Sequence, residues 1–343
     1  MPASTYVYFP ELNQVAVGSE EVPEGDLGPN EALIRAEASV VSSGTELARM
    51  SGLEKNMGTD FPVRTGYAMV GRVEVGGPGL PFAAGQRVFC TGKHATCQRF
   101  RHGQGHQWGH LFPVPESLDP ADAAVGRLAQ IAMTAPEVTD LTLGDTVAVF
   151  GLGIVGNLAA QLYQIAGARV IGVDPVPARC ELARRCGITT VVDAQPAEQV
   201  QAVKAAAGGE GPLVCVDASG VSAVVLNCIK AVAPLGQVVL LGSPRAPLAG
   251  DLTEAFGLIH MYGLVVRGAH EFHFPLTVTS GRGRTVRTVE SIFATVFDLI
   301  ASGRLNVRDL ISHRVSPDDA PAAYYGLRDR PSEYTGVVID WGG

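Results

Sequence analysis

No stretch of this 343-residue chain is apolar over the roughly 20 residues that a membrane span requires. The first residues also lack the basic-then-apolar pattern of a secretory leader, so the expectation is a cytoplasmic protein with no membrane partner. Basic charge is scarce: 26 Lys and Arg face 34 Asp and Glu, giving a net charge of −8, and the one basic cluster is Arg282 to Arg287. A nucleic-acid partner is therefore not expected. No Cys-x-x-C occurs among Cys90, Cys97, Cys180, Cys186, Cys215 and Cys228. Several of them fall in predicted strands or helices, which points to buried free thiols. Internal repeats and low-complexity linkers are missing too. A hydrophobic fraction of 46% with 17% charged residues instead describes a well-folded chain, long enough for two domains.

The chain is organised around Thr146 to Asp174. The apolar run Thr146 to Phe150 leads into Gly151-Leu-Gly153-Ile-Val-Gly156, a helix is predicted over Asn157 to Ala166, and a second apolar run, Arg169 to Val173, ends on Asp174. Strand, G-x-G-x-x-G, helix, strand and acid in this order form a dinucleotide-binding fingerprint. Gly151 permits the tight turn, Gly153 lets a pyrophosphate approach the backbone, and Gly156 lets helix and strand pack closely. The helix N-terminus offers N–H groups and a positive dipole end to the phosphates. Asp174 can accept from ribose hydroxyls and would repel a 2′-phosphate, so the expected cofactor is NAD.

Before this unit, residues 1 to about 118 read as β-rich. Glu31 to Glu37 alternates, Met69 to Val75 and Gln86 to Cys90 are apolar runs, and Gly and Pro punctuate them, which suggests a small barrel or sandwich. Pro120 to Thr134 reads as a helix. After Asp174, strands at 190–192, 213–217, 237–241 and 264–267 alternate with helices at 178–185, 197–207, 221–232 and 254–262. The expected architecture is therefore α/β, with a six-stranded doubly wound parallel sheet. Asp217 to Gly220 and Gly242 to Arg245 fall at carboxyl ends of strands, where ligands bind. In the tail, helices are predicted over Val289 to Ser302 and Asp318 to Leu327. A last strand, Gly336 to Asp340, is expected to join the N-terminal unit, making the cofactor domain an insertion. The predicted divisions are 1–125, 126–269 and 270–343. The apolar edge Leu264 to Arg267 predicts a homodimer.

With this order of elements the chain resembles the medium-chain dehydrogenase/reductase, or alcohol dehydrogenase-like, superfamily nearly end to end. The resemblance rests on Gly66-Tyr-Ala-Met-Val-Gly71-Arg-Val, Gly85-Gln-Arg-Val, Gly151 to Gly156, Asp217-Ala-Ser-Gly220, Ala320-Pro-Ala-Ala323 and Gly336-Val-Val-Ile. It implies a GroES-like, barrel-like N-terminal catalytic domain completed by the C-terminal segment, and a Rossmann domain. The implied cofactor contacts are Thr134, Gly151, Gly153, Ile154, Val155, Gly156, Asp174, Pro175, Arg179, Ala218, Ser219, Gly242, Ser243 and His270.

The departures from the zinc-dependent members are specific. Their Cys-Gly-Ser/Thr-Asp stretch is here Ser43-Gly-Thr-Glu46, and their Gly-His-Glu is Gly66-Tyr67-Ala68. Gly126-Arg-Leu-Ala-Gln130 supplies no third ligand, so no metal site is expected. Ser43 to Glu46 resembles the bacteriochlorophyllide dehydrogenase-type members, a zinc-independent branch. Catalysis then falls to side chains. Tyr67 stands at a ligand position and can act as acid/base if a neighbouring cation or the cofactor lowers its pKa, or it packs its ring on the sheet. Thr45 matches a hydroxyl that lies between substrate and cofactor in the zinc relatives. Glu46 is a candidate base, or it orients Lys93 or His94, with a surface salt bridge as the alternative. His94 matches a histidine common near the superfamily's active cleft. His102, His106 and His110 lie on a Gly/Gln-rich loop whose spacing fixes no metal geometry. His270 and His273 stand where the chain returns to the catalytic domain. The reaction expected is zinc-independent, NAD-dependent interconversion of a secondary alcohol and a ketone, on a sugar, cyclitol or natural-product intermediate. An enone or quinone reductase and a non-catalytic dinucleotide-binding protein are the alternatives.

Overall fold

The computed structural model describes residues 3–53, 60–103, 109–245, 247–277 and 287–342. His106 and residues 282–286 of the basic cluster lie outside the described residues. The chain divides into two units, Met1–Arg127 with Phe274–Gly303 and Ile311–Gly343, and Leu128–His273 with Arg304–Leu310.

In the first unit the N-terminal elements are β1 (Ala3–Phe9), β2 (Ala16–Glu21), β3 (Glu31–Val41), α1 (Ser43–Met50), β4 (Val63–Arg64), β5 (Met69–Gly76), β6 (Arg87–Cys90), β7 (Cys97–Arg101) and β8 (Leu111–Pro113), and α2 (Pro120–Val138) begins in this unit and ends in the second. The alternation that suggested a strand from Glu31 extends further than expected, because β3 pairs with β5 and β7 along its 11 residues. Neither β1 and β2 nor the short helix α1 was legible, since none of the three carries a long periodic pattern. Helix α2 runs past the expected end at Thr134, with Pro136 inside its last turn.

The second unit contains β9 (Thr146–Phe150), α3 (Ile154–Ile165), β10 (Arg169–Asp174), α4 (Pro177–Arg185), β11 (Thr190–Asp193), α5 (Gln199–Ala206), β12 (Val214–Asp217), α6 (Ser222–Ala231), β13 (Gln237–Leu240), α7 (Thr253–Tyr262) and β14 (Val265–Gly268). The sheet order is β11-β10-β9-β12-β13-β14, all pairs parallel. Strand order reverses beside β9, so the crevice at its carboxyl end is the topological switch point where nucleotides bind in such sheets. Buried β-branched and small residues of β9, β10 and β12, among them Ala148, Ile171, Val173 and Cys215, pack against α5 and α6.

The tail contributes α8 (Val289–Ala301), β15 (Ile311–Val315), α9 (Ala320–Asp329) and β16 (Gly336–Asp340). Strand β16 pairs antiparallel with β3, Val337 opposite Val41, and parallel with β15. The first unit is thus closed by the end of the chain and has a seven-stranded sheet beside the small β2-β1-β4 sheet. One segment departs from the expected division. Arg304–Leu310 groups with the second unit, whereas the sequence assigned all of 270–343 to the first. The cause is Gln161 of α3: its Nε2 donates to the Asn306 carbonyl at 3.0 Å, and its Oε1 accepts from the Asn306 N–H at 2.8 Å. The fold is a GroES-like domain joined to a Rossmann-type parallel sheet. All six cysteines are buried and unpaired, and among the described residues no helix is long and apolar enough to cross a membrane.

Candidate functional site

In the second unit, β9 ends at Phe150 and the chain turns at Gly151, whose φ of +91° lies in the region that favours glycine. A Cβ at Gly156 would stand 1.8 Å from the Gly151 carbonyl oxygen, so only glycine lets the turn close. Gly153 is different: nothing lies within 4 Å of where its Cβ would be. It is the N-cap of α3 and gives that helix no side-chain cap. Helix α3 therefore starts at Ile154, three residues before the sequence placed it, and presents the N–H groups of Ile154 and Val155 at an open cradle. Closed at Gly151 and Gly156 and open at Gly153, the turn fits a dinucleotide pyrophosphate.

Asp174 ends β10 with 1% exposure. Its Oδ2 accepts from the Leu152 N–H at 2.7 Å and its Oδ1 from the Val176 N–H at 2.8 Å. A carboxylate has about four acceptor positions, so it retains capacity for hydroxyl donors. Arg179 of α4, beyond Pro175, brings Nη1 to 3.8 Å from Oδ2. On the other side of the turn, the Ala218 N–H donates to the Phe150 carbonyl at 2.8 Å, and a Cβ on Gly151 would come within 3.1 Å of Ser219 N. Gly220 would collide with Ser243 if it had a Cβ, at 2.4 Å, and the Gly242 N–H donates to Asp217 O at 2.8 Å. Ala218, Ser219, Gly242 and Ser243 are thereby gathered beside the glycine turn. Asp217 anchors them: its Oδ1 accepts from the Ser219 N–H and hydroxyl, and burial pushes its carboxyl above the usual carboxylate range. Two further residues sit apart from the turn. The buried Thr134 hydroxyl is engaged with the Ile131 and Ala269 carbonyls, at 2.7 and 3.2 Å. His270 is half-exposed, edge-on to Phe272.

In the first unit, α1 and the turn before β5 build a buried polar cluster around Glu46, which is 2% exposed. Its Oε1 accepts from the Ser42 N–H at 2.8 Å. Its Oε2 accepts from the hydroxyls of Thr65 and Tyr324 and lies 3.1 Å from His94 Nε2. The other ring nitrogen of His94 is 2.7 Å from the Ser39 hydroxyl, to which the Trp341 indole N–H donates at 2.9 Å. Burial pushes the Glu46 carboxyl up, but the charge and hydrogen bond of His94, with Thr65 and Tyr324, outweigh it and hold it below its usual value. Gly66, at φ +99°, makes this approach possible, since its Cβ would lie 2.4 Å from His94 N. The surface-salt-bridge alternative for Glu46 is thereby removed: the residue is interior, and it orients His94 rather than Lys93.

Tyr67 joins this cluster through Ser42, to whose Oγ its hydroxyl donates at 2.5 Å, with Thr45 also hydrogen-bonding to the phenol. The Arg127 guanidinium sits 5.4 Å from the ring centroid. The expectation that a cation lowers this phenol is corrected by its burial. Desolvation raises the Tyr67 pKa by more than Arg127, Ser42 and Thr45 lower it. The phenol keeps its proton at neutral pH and is a donor.

Sequence reading missed Ser39, Ser42, Thr65, Arg127, Tyr324 and Trp341. Ser42 and Thr65 stand next to motifs that were found, whereas Tyr324 and Trp341 come from the tail and carry no local signal. On the loop, His102 accepts from the Leu111 N–H at 3.1 Å, packs edge-on to Phe82 and His110, and is lowered by burial. Among the described residues no group of three or more His, Cys, Asp or Glu could hold a metal ion. The positions of Ser43, Tyr67 and Gly126 to Gln130 fit no zinc, because they offer neither thiolate nor imidazole.

Comparison with known proteins matches residues 28–115 to the alcohol dehydrogenase GroES-like domain and residues 155–282 to the zinc-binding dehydrogenase family. An L-threonine 3-dehydrogenase of Rhizobium johnstonii is 26% identical, with 96% of each chain covered. Among solved structures, galactitol-1-phosphate dehydrogenase from Escherichia coli superposes with a TM-score of 0.82 at 19% identity, covering 98% of this chain and 99% of that one. A zinc-binding dehydrogenase from Sinorhizobium meliloti, solved with NADP, gives 0.78 at 21% identity, covering 99% and 100%.

Proposed function

Since this chain is a member of the alcohol dehydrogenase-like, medium-chain dehydrogenase/reductase superfamily, we propose that it is an NAD-dependent oxidoreductase that interconverts a secondary alcohol and a ketone without zinc. The substrate class is a hydroxylated small molecule such as a sugar, a cyclitol or a natural-product intermediate. The observation that carries this reading is the uncapped start of α3, open at Gly153 and flanked by the Asp174 carboxylate.

When bound, the nicotinamide supplies the hydride chemistry. The chain's own residues bind, orient and move a proton. Ile154 and Val155 offer N–H groups to the pyrophosphate, and Asp174 accepts from ribose hydroxyls. Arg179 is drawn to Asp174, which leaves less positive charge for a 2′-phosphate. The NADP in the Sinorhizobium meliloti structure belongs to that protein; the carboxylate at position 174 favours NAD here. Tyr67, protonated and fixed by Ser42 and Thr45, is the group suited to give a proton to a carbonyl oxygen. Glu46 and His94 act on it through Ser42, whose N–H Glu46 holds, and are positioning residues. The six unpaired, buried thiols support a reducing, cytoplasmic setting. The exposed apolar residues of β14 support a homodimer.

Fluorescence titration tests the cofactor. NADH should bind at least tenfold more tightly than NADPH, about 1.4 kcal/mol, and Asp174→Ala should narrow that gap. Equal affinities would overturn the NAD assignment. Elemental analysis before and after chelation tests the metal, and stoichiometric zinc whose removal abolishes turnover would overturn the zinc-free reading.

A further inference from the structure

Two cations are borne by residues that neighbour members of the Glu46 cluster in the chain. Arg49 lies in the last turn of α1, three residues beyond Glu46. Lys93 immediately precedes His94, which reaches Glu46. The Lys93 backbone is clamped: its N–H donates to Gln98 Oε1 at 2.9 Å, and its carbonyl accepts from Gln98 Nε2 at 3.0 Å. Among the described residues, neither the Lys93 ammonium nor the Arg49 guanidinium has a hydrogen-bond or ion-pair partner, and Arg49 Nε is buried with none. Neither makes an ion pair with Glu46, whose oxygens are held by Ser42, Thr65, Tyr324 and His94.

Elsewhere in the same unit Arg35, Arg64, Arg72, Arg87, Arg99 and Arg314 each meet a carboxylate. Two half-buried, like-charged groups that pair with no carboxylate among the described residues are costly to fold. The C-terminal dipole of α1 favours Arg49, but it accounts neither for the buried Nε nor for Lys93. Burial and the charge of Arg49 depress the Lys93 ammonium by more than the charge of Glu46 raises it. We propose that Arg49 and Lys93 form an anion-recognition site, and that the substrate of the reaction proposed above carries a carboxylate or phosphate group held there. A guanidinium fork and a compact ammonium each suit either group.

The inference rests on the dehydrogenase reading for the word substrate, and its test is a binding measurement without turnover. With the glycine turn saturated by NADH, inorganic phosphate and malonate are titrated by calorimetry. The wild-type protein should bind at least one of them saturably. Arg49→Ala and Lys93→Met should each weaken that binding at least tenfold, whereas Arg49→Lys and Lys93→Arg should largely retain it. NADH affinity, unchanged in all four, reports that they are folded. Should Arg49→Ala unfold, Arg49→Gln keeps the apolar stem and carries the same expectation. A preference for phosphate assigns a phosphorylated substrate, and a preference for malonate a carboxylated one. No binding by either probe, or binding that survives both neutralising variants, would overturn the site. Binding that depends on both cations in a protein that transfers no hydride would leave the site standing and overturn the enzymatic reading.

Discussion

At Glu46 one buried carboxylate collects four donors. Removing it strands Thr65, Tyr324 and His94 without their acceptor, and breaking such a buried pair costs about 3–5 kcal/mol. Glu46→Ala should lower stability by that order in urea unfolding. The pH dependence has a definite sign. The folded pKa lies below the ordinary value of 4.5, so the contribution is complete above that value and is lost as pH falls through the folded pKa. Glu46→Gln should therefore be less stable than wild type at neutral pH, with the difference shrinking in acid below pH 4.5. A difference that instead grows in acid would show that the Glu46 carboxyl is not held below its ordinary value. For Tyr67 the expected outcome is kinetic. Tyr67→Phe should cut kcat by roughly 10²–10⁴-fold and leave NADH affinity intact, measured by steady-state kinetics beside a binding titration. An unchanged kcat would remove Tyr67 from the proton path.

At the scale of elements, the junction of β9 and α3 depends on glycine at two positions for different reasons. Gly151 is there for its positive φ, Gly156 for the 1.8 Å a Cβ would leave to the Gly151 carbonyl oxygen. Gly156→Ala should force the turn open, costing about 1–3 kcal/mol and weakening NADH at least tenfold. Thermal unfolding and fluorescence titration would show both. Gly153→Ala meets open space and should spare stability while still obstructing the cofactor, and a variant that bound NADH as wild type would move the pyrophosphate elsewhere. Helix boundaries in this region were displaced in the sequence reading because the N-cap is a glycine. No Ser, Thr, Asp or Asn marks the start of α3, and only the backbone reveals it.

For the whole molecule, two features outside the site matter. The tail returns so that β16 pairs with β3, and Trp341 donates to Ser39 beneath His94. The last strand therefore helps to build the cluster around Glu46. In the second unit β14 is an edge strand, with Val265 and Val266 each 40% exposed, close in sequence to the exposed Met261 and Tyr262. An apolar edge of this kind tends to be covered by another copy. Light scattering should report a dimer, and Val266→Lys should shift it to monomer without loss of NADH binding. A monomer at all concentrations would show that the edge is left open.

The strand, glycine turn and helix at 146–165, the six parallel strands and the return of the last strand to the N-terminal domain were legible in the sequence. Each depends on neighbours within one strand-turn-helix unit, or on alternation along a single strand, and such signals survive in a linear reading. The departures at Ser43 and Tyr67 were legible for the same reason. What surrounds Glu46 was decided only by the tertiary structure. Tyr324 and Trp341 arrive from the end of the chain, and a residue's partners across a sheet leave no mark on its own neighbours in sequence. The protonation of Tyr67 was decided there too. Arg127 was in the sequence as a cation, but whether it could lower the phenol depended on how much water burial removed, and burial prevailed. The unpartnered state of Arg49 and Lys93 is the clearest instance. Both charges were in the sequence, but that neither forms an ion pair among the described residues depends on the oxygens of Glu46 having been filled by donors from four separate parts of the chain.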